Sequence, residues 1–153
     1  MSKIAIVTDS TACLPLELVQ RYRIHVIPTW IHRGEEAFRD GMDITQTQVY
    51  HWLREGHCLG TSQPSVGEFL SLFQKLSEKT EAIISILIGA GLSGTYSSAS
   101  QAAELLKGFP IEVIDSRTVS MALGFVVLAA ARAAETGPPS PGSWRRPRRQ
   151  FPG

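Results

Sequence analysis

The residues best suited to chemistry lie in a turn that contains three glycines, Gly89, Gly91 and Gly94. Two hydroxyl side chains, Ser93 and Thr95, share the turn, which holds no Lys or Arg. An apolar run precedes the turn and small residues follow it, which predicts a buried strand, a turn and a helix. The first N–H groups of a helix have no partner within it and carry partial positive charge. The turn therefore predicts a site where N–H and O–H donors bind a small anion.

Residues 89–94 also match the pattern Gly-x-Gly-x-x-Gly, and Asp115 ends the next predicted strand. A dinucleotide-binding (NAD-type) enzyme fragment is therefore an alternative, with the pyrophosphate on the turn and the ribose on Asp115. Against it, the pattern falls in the third strand–helix turn rather than the first, and the chain leaves no room for a second nucleotide-binding half. A P-loop is disfavoured further, because Gly94 and not a lysine precedes Thr95.

A second polar segment, residues 60–65, contains Thr61 and Ser62. If it folds over the edge of the sheet where the glycine turn lies, its hydroxyls join those of the turn. Helix capping is the simpler role for Ser and Thr at such positions, so the functional interpretation depends on the two segments converging. Asp9 and Asp115 could form a carboxylate pair at the same edge. An Asp at a strand end more commonly orders the turn through its own hydrogen bonds.

Catalytic and metal-binding patterns are not evident in the sequence. No histidine falls in a predicted strand–helix turn or in a triad-like context; the histidines are His25, His32, His51 and His57. Cys13 and Cys58 match no metal-ligand spacing, and we expect them to be small buried hydrophobes in a reducing compartment. We therefore expect no catalytic residue, no metal and no cofactor.

Hydrophobic periodicity predicts the elements that position these residues. Apolar runs predict four strands, and each is followed by a helical pattern; Ser65 and Glu68 form a capping box at the start of one helix, and Thr45 and Gln48 at another. This alternation is typical of a parallel β-sheet flanked by helices on both faces, which is a Rossmann-like α/β fold. The strands are expected at residues 3–8, 24–31, 82–88 and 111–114, and a loop or hairpin at residues 32–44.

Composition limits the class of protein. The chain has 153 residues, 43% of them apolar and 19% charged, which suits one globular domain. Four of its 15 basic residues lie at positions 145–149, and without them 11 basic residues face 14 acidic ones, so we expect no nucleic-acid partner. The longest apolar run, residues 121–131, is too short to span a bilayer, and no signal peptide is evident. We therefore expect a cytoplasmic protein without stable membrane insertion.

Composition changes abruptly near Gly137. Residues 138–153 contain five prolines and four arginines and show no hydrophobic periodicity. Such a segment cannot build a core, so we expect an α/β domain over residues 1–137 and a disordered Pro/Arg-rich tail over 138–153. The tail could be a solvated end or the out-of-frame product of an interrupted coding sequence.

Five ordered motifs resemble those of the DegV family, at that family's spacing. They are Asp9-Ser10-Thr11, Asp-Gly-Met-Asp-Ile at 40–44, Thr-Ser-Gln-Pro-Ser at 61–65, Leu-Ser-Gly-Thr-Tyr at 92–96 and Ile-Asp-Ser at 114–116. The resemblance covers about residues 3–137 and implies the first of two α/β domains of a bacterial protein that binds a long-chain fatty acid. The family member is then a carrier that presents the fatty acid to a separate kinase, and not itself an enzyme.

The resemblance also implies which residues bind the ligand. Thr61 and Ser93 match the positions that hydrogen-bond the carboxylate in the family, and Gly94 lets the backbone come close. We therefore expect a carboxylate site made of Thr61, Ser62, Ser93, Gly94 and Thr95.

The chain departs from the family in composition and length. Glycine and alanine at residues 89–91 replace serines that are frequent there, and Ala122 stands where a glycine is common. The resemblance also implies a second domain that encloses the acyl tail, and we expect that domain to be missing from this chain. We therefore expect impaired binding and exposed apolar surface where that domain would dock.

Overall fold

A computed structural model describes residues 3–136 of the chain. Strands and helices alternate along it as the hydrophobic pattern predicts. In chain order the elements are β1 (Ile4–Asp9), a 3₁₀ turn (Ser10–Ala12), α1 (Leu16–Arg21), β2 (His25–Ile27), β3 (Trp30–Arg33), β4 (Glu36–Arg39), α2 (Gln46–Arg54), β5 (Leu59–Ser62), α3 (Val66–Ser77), β6 (Ala82–Leu87), α4 (Thr95–Leu105), β7 (Ile111–Asp115) and α5 (Ser120–Thr136).

The main sheet is four-stranded and parallel, in the order β2-β1-β6-β7. Side chains alternate between its faces, so Val7 and Leu87 face α3 and α4, whereas Ile6 and Ile86 face α1 and α5. The central strand β6 is nearly all apolar because both of its faces are covered. This confirms the predicted α/β fold with a parallel sheet between helical layers.

A second sheet was not predicted. It is three-stranded and antiparallel, in the order β4-β3-β5. Residues 24–31 were expected to form one strand, and this was wrong: β2 pairs with β1 in the main sheet, whereas β3 belongs to the second sheet. The break falls at Pro28, which has no N–H to donate to a ladder. The second sheet packs on α2 through Ile31, Ile44 and Trp52.

Residues 32–44 contain the expected hairpin, formed by β3 and β4. Arg33 pairs with Glu36 across a two-residue turn, and Gly34 supplies the positive φ of +62° that this turn requires. The predicted capping box of Ser65 and Glu68 is present in full at the start of α3. At the start of α2, the Thr45 side chain accepts a hydrogen bond from the N–H of Gln48.

Residues 60–65 were expected to be a loop, and the structure shows otherwise for the first half of the segment. Gly60, Thr61 and Ser62 lie in β5, paired antiparallel with β3. The segment shows no apolar alternation, so its own side chains do not indicate a strand. Its extended conformation is determined by pairing with β3.

The cysteines were expected to be buried, and this was wrong, since Cys13 and Cys58 are both free and exposed. Within residues 3–136 no helix is long and apolar enough to cross a membrane. The same residues contain no cluster of side chains able to hold a metal ion. The expected tail over 138–153 and the domain boundary at 137 lie outside the described residues.

Candidate functional site

The turns that follow β1, β6 and β7 are bonded to one another at the carboxyl edge of the main sheet. Asp9, at the end of β1, accepts a hydrogen bond of 2.8 Å from the N–H of Ile88 after β6. Asp115, at the end of β7, accepts one of 3.0 Å from the N–H of Ala90. The N–H of Gly89 donates to the carbonyl of Thr118 at 2.9 Å. The convergence expected for these three turns is therefore confirmed.

The two carboxylates at this edge hold turns in place. Asp9 is fully buried and also accepts from the N–H and hydroxyl of Thr11. The N–H groups of Ala90 and then Arg117 keep the pKa of Asp115 below its usual value, because they stabilise the carboxylate form. Asp9 and Asp115 therefore order the turns at the strand ends and do not form a carboxylate pair.

Two of the three glycines of the turn, Gly89 and Gly94, lie in close contacts, whereas a Cβ on Gly91 would meet nothing within 4 Å. A Cβ on Gly89 would lie 3.1 Å from the backbone of Arg117, and one on Gly94 would lie 2.9 Å from the side-chain amide nitrogen of Gln63. The dinucleotide alternative assigned Asp115 to a ribose, but its carboxylate closes this same turn through Ala90. Packing against the next turn thus accounts for Gly89 and Asp115 without a nucleotide.

Ser93 and Thr95 form a hydroxyl pair at the start of α4. Their oxygens are 2.9 Å apart, and the N–H of Thr95 donates to Ser93 Oγ at 3.2 Å. Ser93 is partly exposed, whereas Thr95 is fully buried. Of the two hydroxyls predicted in this turn, only that of Ser93 is therefore accessible to a ligand.

Backbone donors complete this end of α4. Gly94 is the N-cap and provides no side-chain cap. The N–H groups of Tyr96 and Ser97 have no acceptor among residues 3–136. A helix start with unpartnered N–H groups and one accessible hydroxyl can bind an acceptor-rich, anionic group.

The strand β5 brings the second predicted segment to this turn, through the contact of Gln63 with Gly94. Thr61 lies opposite Ile31, and Ser62 lies opposite Trp30, so the two hydroxyls project from opposite faces of the second sheet. Thr61 is exposed, and Ser62 is hydrogen-bonded at 2.8 Å to Nε2 of His32. The structure therefore separates two neighbours that were expected to act together.

Gln63 and His32 are the residues that the sequence did not single out. Gln63 lies in the Thr-Ser-Gln-Pro-Ser motif but carries no signal of its own, and His32 lies in no predicted strand–helix turn. His32 meets Ser62 only because β3 and β5 are paired, so the hairpin register would have been needed to find it.

Two surface depressions lie beside the first turn and the second sheet. One, of about 600 Å³, is lined by Pro28, Met42 and Glu68 among others, and another, of about 550 Å³, by Asp9, Ser10 and Met42 among others. Neither is lined by Thr61 or Ser93. Thr61 is exposed and Ser93 is partly exposed, so both can be reached from solvent.

Comparison with known proteins agrees with the sequence motifs. A model of the DegV family, described as uncharacterised proteins, matches residues 3–143. A DegV domain-containing protein of Caldanaerobacter subterraneus is 41% identical over 137 residues, which are 90% of this chain and 49% of that protein.

Solved structures show the same relationship. A structure described as DegV, a fatty acid binding protein from Bacillus subtilis, superposes with a TM-score of 0.85 at 34% identity, over 92% of this chain and 50% of that one. A stearic acid-binding protein from Eubacterium ventriosum superposes with a TM-score of 0.82 at 28% identity, over 90% and 48%. The chain thus spans about half the length of the proteins that it matches.

Proposed function

This chain belongs to the DegV family, and we propose that it holds the carboxylate of a long-chain fatty acid at the start of α4. The observation that carries the proposal is the accessible Ser93 hydroxyl beside the unpartnered N–H groups of Tyr96 and Ser97. A carboxylate has only acceptors, and it is stabilised by N–H and O–H donors at a helix start. Relatives described as fatty-acid-binding proteins support this choice of ligand.

The proposal assigns different roles to the expected site residues. Ser93 donates to the carboxylate, Gly94 keeps the backbone accessible, and Thr61 approaches from β5. Ser62 is hydrogen-bonded to His32 and Thr95 is buried, so we assign these two no direct contact with the ligand.

We further propose that the protein is a carrier and not an enzyme. The residues at the site supply hydrogen-bond donors, and the carboxylates of Asp9 and Asp115 are used to hold turns. A carrier of this kind would present the fatty-acid carboxylate in the cytoplasm to a separate kinase. Phosphorylation by a kinase requires the head group to remain near the surface, which the partial exposure of Ser93 allows.

The experiment is a titration of the ¹⁵N-labelled chain with sodium octanoate, followed by NMR. We expect the amide signals of residues 93–97 to shift, and the Ser93→Ala variant to bind about tenfold more weakly, because a hydrogen bond to a charged group is lost. Ser71→Ala, which removes an exposed hydroxyl of α3, is the control and should bind like the parent chain. Shifts confined to other residues, or equal affinity of the Ser93 variant, would contradict the proposal.

Native mass spectrometry of the freshly purified chain identifies the natural ligand class. A co-purified fatty acid that is absent from the Ser93→Ala variant supports the proposed carrier function. A bound dinucleotide would contradict it and favour the dinucleotide-binding enzyme fragment.

A further inference from the structure

We propose that Thr95 is a positioning residue, whose buried hydroxyl donates to Ser93 Oγ and so directs the single hydroxyl proton of Ser93 toward the ligand. The inference rests on the proposed function, because it concerns the same site. It adds a reason why the site prefers a strongly accepting head group.

The direction of the hydrogen bond follows from burial. The oxygens of Ser93 and Thr95 are 2.9 Å apart, and either could be the donor on distance alone. Thr95 is fully buried. Among the described residues, its hydroxyl is hydrogen-bonded to Ser93 Oγ. If Ser93 donated to Thr95, the Thr95 proton would be left buried without an acceptor, which is costly. Ser93 is partly exposed and can send its own proton outward at little cost.

The hydrogen-bonding capacity of a serine hydroxyl then determines what Ser93 presents. A hydroxyl has one proton to donate and two acceptor positions. The N–H of Thr95, at 3.2 Å, and the hydroxyl of Thr95 together fill both acceptor positions. What remains is the proton, so Ser93 acts toward a ligand as a donor only.

A donor-only Ser93 discriminates between head groups. Hydrogen bonds to a carboxylate are roughly twice as strong as those to a neutral oxygen. We therefore expect octanoate to bind better than 1-octanol, and we expect the difference to shrink when the proton of Ser93 is free to rotate away.

Three variants test the inference in the octanoate titration. Thr95→Val keeps the shape but removes the hydroxyl, and we expect octanoate to bind about tenfold more weakly and its preference over 1-octanol to fall. Thr95→Ser restores the hydroxyl and should return affinity to within about threefold of the parent chain. Ser98→Ala removes another buried hydroxyl of α4 and is the control. Folding of each variant is checked by circular dichroism.

Two results would overturn the inference. One is a folded Thr95→Val variant that binds octanoate like the parent chain. The other is equal weakening in all three variants, since that would show a packing effect without any role of the hydroxyl.

A measurement without ligand separates this inference from the proposed function. A donating, buried Thr95 hydroxyl exchanges slowly, so its proton should be visible by NMR and show a nuclear Overhauser effect to the β protons of Ser93. A protected Ser93 hydroxyl proton directed at Thr95 would refute the positioning role. If the parent chain shows no octanoate shifts, the proposed function fails, and the hydroxyl proton alone still decides the orientation.

Discussion

The buried carboxylate of Asp9 accepts a hydrogen bond of 2.8 Å from the backbone N–H of Ile88, 79 residues later in the chain. This bond joins the ends of β1 and β6, the neighbouring strands from which the first turn and the glycine turn emerge. The position of the glycine turn therefore depends on a side chain of the first strand.

Asp9→Asn is expected to destabilise the fold. The amide keeps one acceptor oxygen, but its NH₂ group must then face either Ile88 N–H or the donors of Thr11. We expect the free energy of unfolding to fall by about 2–3 kcal/mol, measured by urea denaturation. Asp115→Asn serves as the comparison and should lose less, because the N–H groups of Ala90 and Arg117 both donate to one carboxylate oxygen, Oδ1, which the amide keeps. Equal losses in both variants would contradict the different demands placed on the two carboxylates.

Gly124→Ala tests the close approach of α5 to the first turn. The added Cβ would lie 2.7 Å from the carbonyl oxygen of Ala12, and a backbone atom cannot move aside easily. We expect the free energy of unfolding to fall by about 1–3 kcal/mol, measured by thermal or urea denaturation. Gly67→Ala in α3 is the matched control, because its Cβ would meet only ordinary contacts. The free energy of unfolding of that variant should rise by about 0.5–1 kcal/mol through helix propensity. A decrease would contradict the prediction, because an added methyl group would then destabilise the protein even without a close contact.

The pH dependence of stability should report on His25. Burial, and then the positive charge of Lys75, hold the pKa of this side chain below its ordinary value of 6.5. The unfolded chain therefore binds the proton more readily, and stability falls as the pH falls through about 6.5. Urea midpoints at pH 7.5 and 5.5 should differ more in the parent chain than in His25→Gln. Lys75→Met should reduce the difference between the two urea midpoints in part, because it removes one of the two causes of the lowered pKa. An identical pH effect in the parent chain and in His25→Gln would show that His25 does not cause the pH dependence.

Affinity for fatty acids should depend weakly on acyl-chain length in this chain. Burial of a methylene is worth about 0.8 kcal/mol, or about fourfold in affinity, only where a surface encloses it. Thr61 is exposed and Ser93 is partly exposed, and the chain spans about half the length of its relatives. We expect octanoate, decanoate and dodecanoate to differ by much less than fourfold per methylene in NMR or calorimetric titrations. Nanomolar binding of palmitate by calorimetry would show instead that this chain encloses the tail.

The outer face of α5 should promote self-association. The helix buries one apolar face against the sheet, and its opposite face is also apolar and exposed; that face comprises Ala122, Phe125, Val126, Ala129 and Ala133. The first charged residue of α5 is Arg132, so both faces are apolar over residues 120–131, and a helix of this kind normally packs on both sides. Phe125→Lys should lower the apparent mass in light scattering at high concentration. Leu105→Lys, which changes an exposed leucine of α4, should have less effect; a parent chain that is monomeric throughout would refute the prediction.

Local patterns were sufficient to predict the parts of the fold that depend on near neighbours in the chain. The capping box of Ser65 and Glu68 spans one helical turn, and the apolar run of β6 reflects burial on both faces. The α/β class and the presence of hydroxyl and N–H donors at the glycine turn follow from such signals. They were visible because helix starts and buried strands are encoded within a few residues.

The tertiary structure alone decided how the site is assembled. Pairing between β3 and β5 sends Thr61 and Ser62 to opposite faces, and packing of α4 buries Thr95 behind Ser93. Neither result is visible in residue types, because register and burial depend on segments tens of residues apart. The amino-acid sequence thus determined which donors are present and that a helix start would carry them. Long-range contacts determined which of those donors a ligand can reach.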